Sequence, residues 1–345
     1  MNYFELPRQK DRRAITCLET HTDGQPTRTI LNGLPEIPGN TMKEKMTYMM
    51  TQQDWLRQVI CFEPRGNDIM SGTIVTTPCH PEADFGVLYY EVGGWMPMCG
   101  HDTIGVATAL VESGLLKATE PCTCATLDTP SGLVRVKIDV KNGVAVRVTL
   151  ENAPAFVTNY DVKVNVPGIG TLTTDIVYGG NMFAILPAAA MGLSLEKENA
   201  KELIQKGNLL RQCINEQIPV SHPYLDMMDH VTHIEFYQKG QPGYSDYKNA
   251  VIIPPGDIDR SPCGTGTSAR LAQLHARGEL EVGVPFVHES LIGTRFYSRI
   301  LKKTNVSGIP AVIPEISGRA YVMGQTTLLI DPDDPFQNGF QLKRF

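Results

Sequence analysis

Two stretches of this sequence carry one pattern, and a repeat of that kind leaves few architectures open. The first reads Met98-Cys99-Gly100-His101-Asp102-Thr103-Ile104-Gly105 and continues to Gly114; the second runs from Asp259 through Arg260-Ser261-Pro262-Cys263-Gly264-Thr265-Gly266-Thr267 to Gly278. Superposed on Cys99 and Cys263, Gly100 falls on Gly264, Thr103 on Thr267, Leu110 on Leu274, Gly114 on Gly278 and Leu116 on Leu280. The repeat predicts two equivalent half-structures in one chain. Each stretch opens on small residues, continues through an apolar run and stops at a glycine, which predicts a helix with the cysteine at its N-terminus.

A helix N-terminus leaves its first backbone N–H groups without intrahelical partners and carries the positive end of the macrodipole. It therefore favours a thiolate and offers a cradle to a carboxylate or phosphate. A lone Cys-Gly would read as a buried structural cysteine; two matched copies point to chemistry.

With 345 residues the chain suits two domains or one domain of two lobes. The lobes are expected at residues 1–154 plus 312–345, carrying Cys99, and at 155–311, carrying Cys263. Charged residues at 20% and hydrophobic ones at 42% mark an ordinary globular chain. A net charge of −6 without any Lys/Arg block argues against nucleic acid and anionic membranes and for a small-molecule partner. The segment Met1 to Arg13 lacks the apolar core of a leader, and nowhere does an uncharged apolar run reach the roughly 18 residues of a membrane span, so a cytoplasmic protein is expected. The eight cysteines show no framework spacing and are expected to be reduced thiols.

Along the chain, residues 14–22 read as a strand running into the turn-rich loop His21 to Pro26. The stripe Met46, Met49, Met50, Trp55, Leu56, Val59, Ile60 predicts a core-facing helix over about 42–61, stopped by Pro64. Strands follow at 72–77 and 85–92. After the first cysteine helix, Val134 to Val140 and Val144 to Leu150 alternate about Asn142-Gly143, a hairpin with a type I′ turn. Ala153-Pro154-Ala155 reads as a hinge. Then come strands over 171–186, two amphipathic helices over 194–216 separated by Gly207 with Cys213 in the core, and strands near 231–237 and 249–253. The order of strands, helix and strands, twice over, predicts an α+β fold rather than a doubly wound one.

Three other constellations are weaker. Cys122-Thr123-Cys124 has no second pair to complete a metal site. His230-x-x-His233-x-Glu235 has ligand residue types, but positions i and i+3 of a strand face opposite sides, so one surface and one interior histidine are expected. Gly264-Thr265-Gly266 lacks the lysine and spacing of a phosphate loop. No metal is expected.

Two thiols facing each other across a cleft suit inversion of a carbon acid. One, as thiolate, takes a proton from one face while the other, as thiol, returns a proton to the opposite face. A carboxylate beside the reacting carbon would be held by the free N–H groups, which also stabilise the charge that builds as the proton leaves. A cysteine hydrolase and a carboxylate-binding protein are the rival readings. The first lacks a third catalytic member beside Cys99 and His101, and the second leaves both thiols unexplained.

Met98-Cys99-Gly100-His101, together with Asp259 to Thr267, resembles the paired signature of the proline racemase family, which includes hydroxyproline 2-epimerases. Glu63-Pro64-Arg65-Gly66, Tyr178-Gly179-Gly180-Asn181, His288-Glu289-Ser290 and Asp334-Pro335-Phe336 are also similar, so the likeness spans nearly the whole chain. The resemblance implies a diaminopimelate-epimerase-like fold, two pseudo-symmetric lobes each with strands wrapped around a central helix, and no cofactor, with a homodimer left open. It implies Cys99 and Cys263 as the acid/base pair. Gly100, His101, Gly264 and Thr265 would hold the carboxylate, with His101 and Asp259 at the ring nitrogen. Both cysteines are present, whereas trans-3-hydroxyproline dehydratases of the family replace one. Proline racemases carry a bulky Phe where this chain has Ser71, and a small hydroxyl residue there resembles hydroxyproline epimerases. The resemblance thus implies a 4-hydroxyproline 2-epimerase, with proline racemase as the alternative. Asp102 and Asp23 depart from the family pattern, and Asp102 is expected to raise Cys99 by like-charge repulsion.

Overall fold

The computed structural model describes residues 12–225 and 228–342. The first eleven residues, on which the expectation of no leader rests, lie outside them. Among the described residues no helix is long and apolar enough to cross a membrane.

The first half opens with the hairpin β1 (Arg13–Thr22) and β2 (Gln25–Asn32), whose turn holds Asp23 at φ 49°. The helices α1 (Met42–Gln52) and α2 (Asp54–Cys61) follow, then β3 (Ser71–Thr76), β4 (Phe85–Glu91) and β5 (Gly94–Met96). The first cysteine helix is α3 (Gly100–Glu112), and β6 (Cys122–Thr129), β7 (Gly132–Lys141) and β8 (Val144–Glu151) close this half.

The second half repeats the plan. It contains β9 (Phe156–Val166), β10 (Gly170–Tyr178), β11 (Met182–Pro187), α4 (Ala200–Gln217), β12 (His233–Lys239), β13 (Tyr247–Ile253) and β14 (Asp257–Ile258). The second cysteine helix α5 (Gly264–Ala276) comes next, followed by β15 (Phe286–Glu289), β16 (Arg295–Val306) and β17 (Ile309–Gly318); β18 (Ala320–Ile330) returns to pair with β1.

Strand pairing makes the repeat explicit. β2 runs parallel to β3 as β11 does to β12, and β4 parallel to β6 as β13 does to β15. The remaining ladders are antiparallel, and β8 pairs with β17 to join the halves. The fold is α+β. Each cysteine helix lies inside its strands: α3 is buried from Gly100 to Val111 and α5 from Gly264 to Leu274. A helix hydrophobic on every side needs a wall on every side, and one central core indeed holds Ile104, Val106 and Leu110 with Leu271, Leu274, Val136, Ile138 and Ile316. Two outer cores lie under α1–α2 and under α4.

Several local expectations change. The single helix over 42–61 breaks at Gln53, which leaves helical backbone at φ −134°. The break lets Asp54 accept from both Arg57 at 2.7 Å and Trp95 at 2.8 Å. The two helices over 194–216 are one helix with a short 3-10 lead-in, and Gly207 lies within it because any Cβ there would collide with Ile252 on β13. The hairpin turn is as expected, with Asn142 at φ 54° and Gly143 at φ 74°. A bulge after Asp139, however, turns Ala145 rather than Val144 into the core. The crossing at Ala153-Pro154-Ala155 is not loose: Ala155 exchanges two backbone hydrogen bonds of 2.9 Å with Val312.

Two of the family-like motifs act as a clasp. Arg65 pairs with Asp334 at 3.0 Å and donates to the Phe336 carbonyl, fastening the chain end to the loop after α2.

Candidate active site

Each cysteine sits at the N-cap of its helix, Cys99 before α3 and Cys263 before α5, and each is only 4% exposed. The two helices meet end to end. A Cβ on Gly100 would lie 2.6 Å from the Gly264 Cα, and one on Gly264 the same distance from the Gly100 Cα. Only glycine lets the two N-termini come this close, so their unpartnered N–H groups converge on one place. Cys263 adopts φ 59°, a conformation costing a residue with a Cβ about 1–3 kcal/mol. Such strain is kept where a side chain must be aimed. Its sulfur accepts from the Gly266 amide at 3.3 Å and lies 3.6 Å from Thr265 Oγ1.

His101 occupies the middle of the site. Its Nδ1 is 3.4 Å from Cys99 Sγ and 3.6 Å from Asp259 Oδ2, and its Nε2 is 2.8 Å from Ser71 Oγ. Burial would depress it, but Asp102 and Asp259 outweigh burial and push it up to about 9. The imidazolium then donates to Ser71, and the Ser71 hydroxyl donates in turn to Asp102 Oδ1 at 3.0 Å, with the Pro26 carbonyl a second acceptor at 3.2 Å. Burial works against the Asp259 carboxylate too, yet His101 and the Ser261 groups hold it below the usual range, with the Ser261 amide donating at 2.8 Å.

All eight residues singled out in the sequence, Ser71, Cys99, Gly100, His101, Asp259, Cys263, Gly264 and Thr265, are buried in this one region. Two expectations shift in detail. Burial, not the helix terminus, is the largest influence on the thiols: it pushes both well above their ordinary range, with Asp102 adding to the effect at Cys99 and Asp259 at Cys263. A thiolate formed there is a stronger base, as a carbon acid demands. Ser71 is also not a free hydroxyl, since it donates to Asp102 and to the Pro26 carbonyl.

Other residues at the site were given no role from the sequence, although Asn181 belongs to one of the family-like motifs. Asn181 donates to the Met98 carbonyl at 3.3 Å and to Thr265 Oγ1 at 3.5 Å, tying the first turns of the two helices together. Gln25, the first residue of β2, accepts from the Arg260 amide and donates to the Ile69 carbonyl, linking the segments that carry Asp259 and Ser71. Glu91 lies across the ladder from Ser71, and burial lifts its carboxyl to about 8 against the pull of His101.

The ligand atoms of Cys99, His101 and Asp102 lie within 4.8 Å of one another, a spacing that also suits a metal ion. Here the histidine and the carboxylate are engaged through Ser71, which makes the cluster a proton network. His230 is exposed and His233 buried, as expected, but His230 lies ahead of β12 and strand period does not set its side; His233 and Glu235 share one buried face of β12.

A family model described as proline racemase matches residues 17–341. A 4-hydroxyproline 2-epimerase of Streptosporangium roseum is 46% identical over 96% of this chain and all of its own length. A proline racemase of Clostridioides difficile is 44% identical over 97% of this chain and likewise all of its own. A hydroxyproline epimerase of Agrobacterium vitis, solved with bound trans-4-hydroxy-L-proline, is 34% identical over 96% of each chain with a TM-score of 0.91. The fold is the diaminopimelate-epimerase-like one that the sequence implied.

Proposed function

The chain belongs to the proline racemase family and is an isomerase, and on that premise we propose that it is a 4-hydroxyproline 2-epimerase. It inverts the α-carbon of trans-4-hydroxy-L-proline to give cis-4-hydroxy-D-proline. The observation that carries this reading is the meeting of two cysteine-capped helix N-termini at Gly100 and Gly264.

The substrate carboxylate takes the N–H groups of Gly100, His101, Gly264 and Thr265, which have no partner within their own helices. The ring ammonium pairs with Asp259, whose carboxyl is held ionised, in a charge-assisted hydrogen bond near His101. One of Cys99 and Cys263 removes the α-proton while the other delivers a proton to the opposite face. The converging N–H groups stabilise the charge that spreads onto the carboxylate in the transition state. Both proton positions are protein thiols, so the reaction takes no cofactor. Ser71 supports a substituted ring by being small where proline racemases are bulky.

Proline racemase is the second reading. It is favoured by the Clostridioides difficile relative and by the Ser71 hydroxyl already donating its hydrogen bond within the protein, to Asp102 and the Pro26 carbonyl.

The test is α-proton exchange in heavy water, followed by NMR without added cofactor, for trans-4-hydroxy-L-proline, L-proline and trans-3-hydroxy-L-proline. Exchange with inversion of the first alone is expected. Inversion of L-proline as the better substrate would replace the epimerase with the racemase.

A further inference from the structure

In the superposition on the cysteines, Asp102 of α3 falls on Gly266 of α5. The first helix therefore places a carboxylate at its third residue, next to Cys99, and the second places no side chain at all. The gap is not left apolar. A Cβ built on Gly266 would lie 2.7 Å from Glu235 Oε2 and 3.2 Å from Cys263 Sγ. A carboxyl group from β12 thus reaches the space where Asp102 sits in the other half, and it shares that space with the second thiol.

Glu235 is an unusual residue to bury. It is 0% exposed, and neither of its oxygens has a hydrogen-bond partner among the described residues. Its flanking strands offer it Ile185 on β11 and Val251 on β13, both apolar. The titratable groups that face it are His288 Nε2 of β15, 3.8 Å away and also unpartnered, and Arg270 and Cys263 on the α5 side; Asp259 acts on the same thiol. His288 is fixed by Thr267 Oγ1 at 3.0 Å, and burial with Arg270 keeps it neutral, down to about 3. A buried carboxyl group with no hydrogen bond is a rare and costly thing to keep for packing alone.

We propose that Glu235 is a positioning residue for Cys263, bringing from β12 through the gap at Gly266 the buried carboxyl that Asp102 brings to Cys99 from its own helix. The proposal rests on the reading of Cys263 as one of the two acid/base thiols. Burial raises Glu235 to about 8 against the opposing charge of Arg270, so the carboxyl is neutral when the enzyme works near neutrality and ionises as the medium turns alkaline. The two groups then titrate as a coupled pair, and an ionised Glu235 resists the thiolate beside it. Glycine at position 266 is needed because a side chain there would displace one of the two.

The experiment is alkylation of the whole protein by iodoacetamide across neutral and alkaline pH, with the rate at each cysteine read by peptide mass spectrometry. It uses no substrate, so its failure and the failure of the epimerase reading are separate results. Wild type and Glu235→Gln should react alike at Cys263 below the Glu235 titration. Above it the variant should react up to about tenfold faster, the equivalent of one pKa unit, while Cys99 stays unchanged. Asp102→Asn should act on Cys99 and leave Cys263 alone. Superimposable Cys263 profiles for wild type and Glu235→Gln, or equal acceleration at both cysteines, would overturn the proposal. If Glu235→Gln does not fold, the wild-type Cys263 profile decides: a break in slope near the Glu235 titration is expected, and a clean one-proton curve rules the coupling out.

Discussion

At the residue scale two sulfur atoms carry the proposed chemistry. Serine has nearly the shape of cysteine but is a far weaker acid, so Cys99→Ser and Cys263→Ser should each lower turnover by roughly 100- to 10,000-fold while leaving circular dichroism and the thermal midpoint near wild type. Wild-type turnover in either variant would contradict the two-thiol assignment. Both cysteines were legible in the sequence because their surroundings are local: cysteine, glycine and the apolar run lie on one short segment each. The network around them was not. Ser71, Asp102 and His101 come together only because β3 lies against the first turn of α3. Sequence spacing carries no trace of a hydroxyl that already donates its hydrogen bond to a neighbouring carboxylate. Glu235 was hidden for a related reason, since strand period fixes which face a side chain takes and not what lies beneath that face.

At the element scale the decisive contact is between the two helix ends. Gly100→Ala and Gly264→Ala each place a methyl group 2.6 Å from a backbone carbon of the opposite helix, which cannot move without taking its helix along. Each should cost about 1–3 kcal/mol of stability and depress activity by spreading the N–H groups apart. Urea unfolding and initial rates measure both, and a variant with unchanged midpoint and rate would show that the helices do not need to touch. The turn at Asn142-Gly143 was read correctly from sequence because its residues are local, whereas the bulge that turns Ala145 rather than Val144 inward was not. Where long-range packing set the boundary, sequence was a poorer guide. Gln53 ends α1 so that Asp54 can serve Arg57 and Trp95, and Gly207 remains helical because Ile252 requires its lack of a side chain. Arg57 is one turn away, but Trp95 and Ile252 are far off in sequence.

At the scale of the whole molecule, the buried titratable groups set a direction for pH. His101 moves from an ordinary 6.5 up to about 9, and Glu91 and Glu235 from 4.5 up to about 8. A group raised on folding stabilises fully below its unfolded pKa and loses that contribution as pH climbs through its folded one. His233 and His288 are depressed to about 3, so their loss falls on the acid side, below 6.5. The unfolding midpoint in urea should therefore fall steadily from pH 6.5 to 9, and a flat profile there would contradict the burial of these groups. We propose that the chain divides as residues 1–154 with 312–345 against 155–311. Hydrogen exchange during the same titration should show these as two sets of amides opening separately, whereas one common set would argue for a single unit. The internal repeat was visible from the start, and the last segment was expected in the first lobe; the ladder of β18 on β1 was not, because strand partners and register are set by the assembled sheet and not by any local motif. The central claim, inversion by two thiols on opposite faces, is tested most directly by the label in early turnover in heavy water. Deuterium is expected at the α-carbon of the D product, with none in the recovered trans-4-hydroxy-L-proline. Deuterium appearing equally in both from the outset would mean that a single base removes and returns the proton.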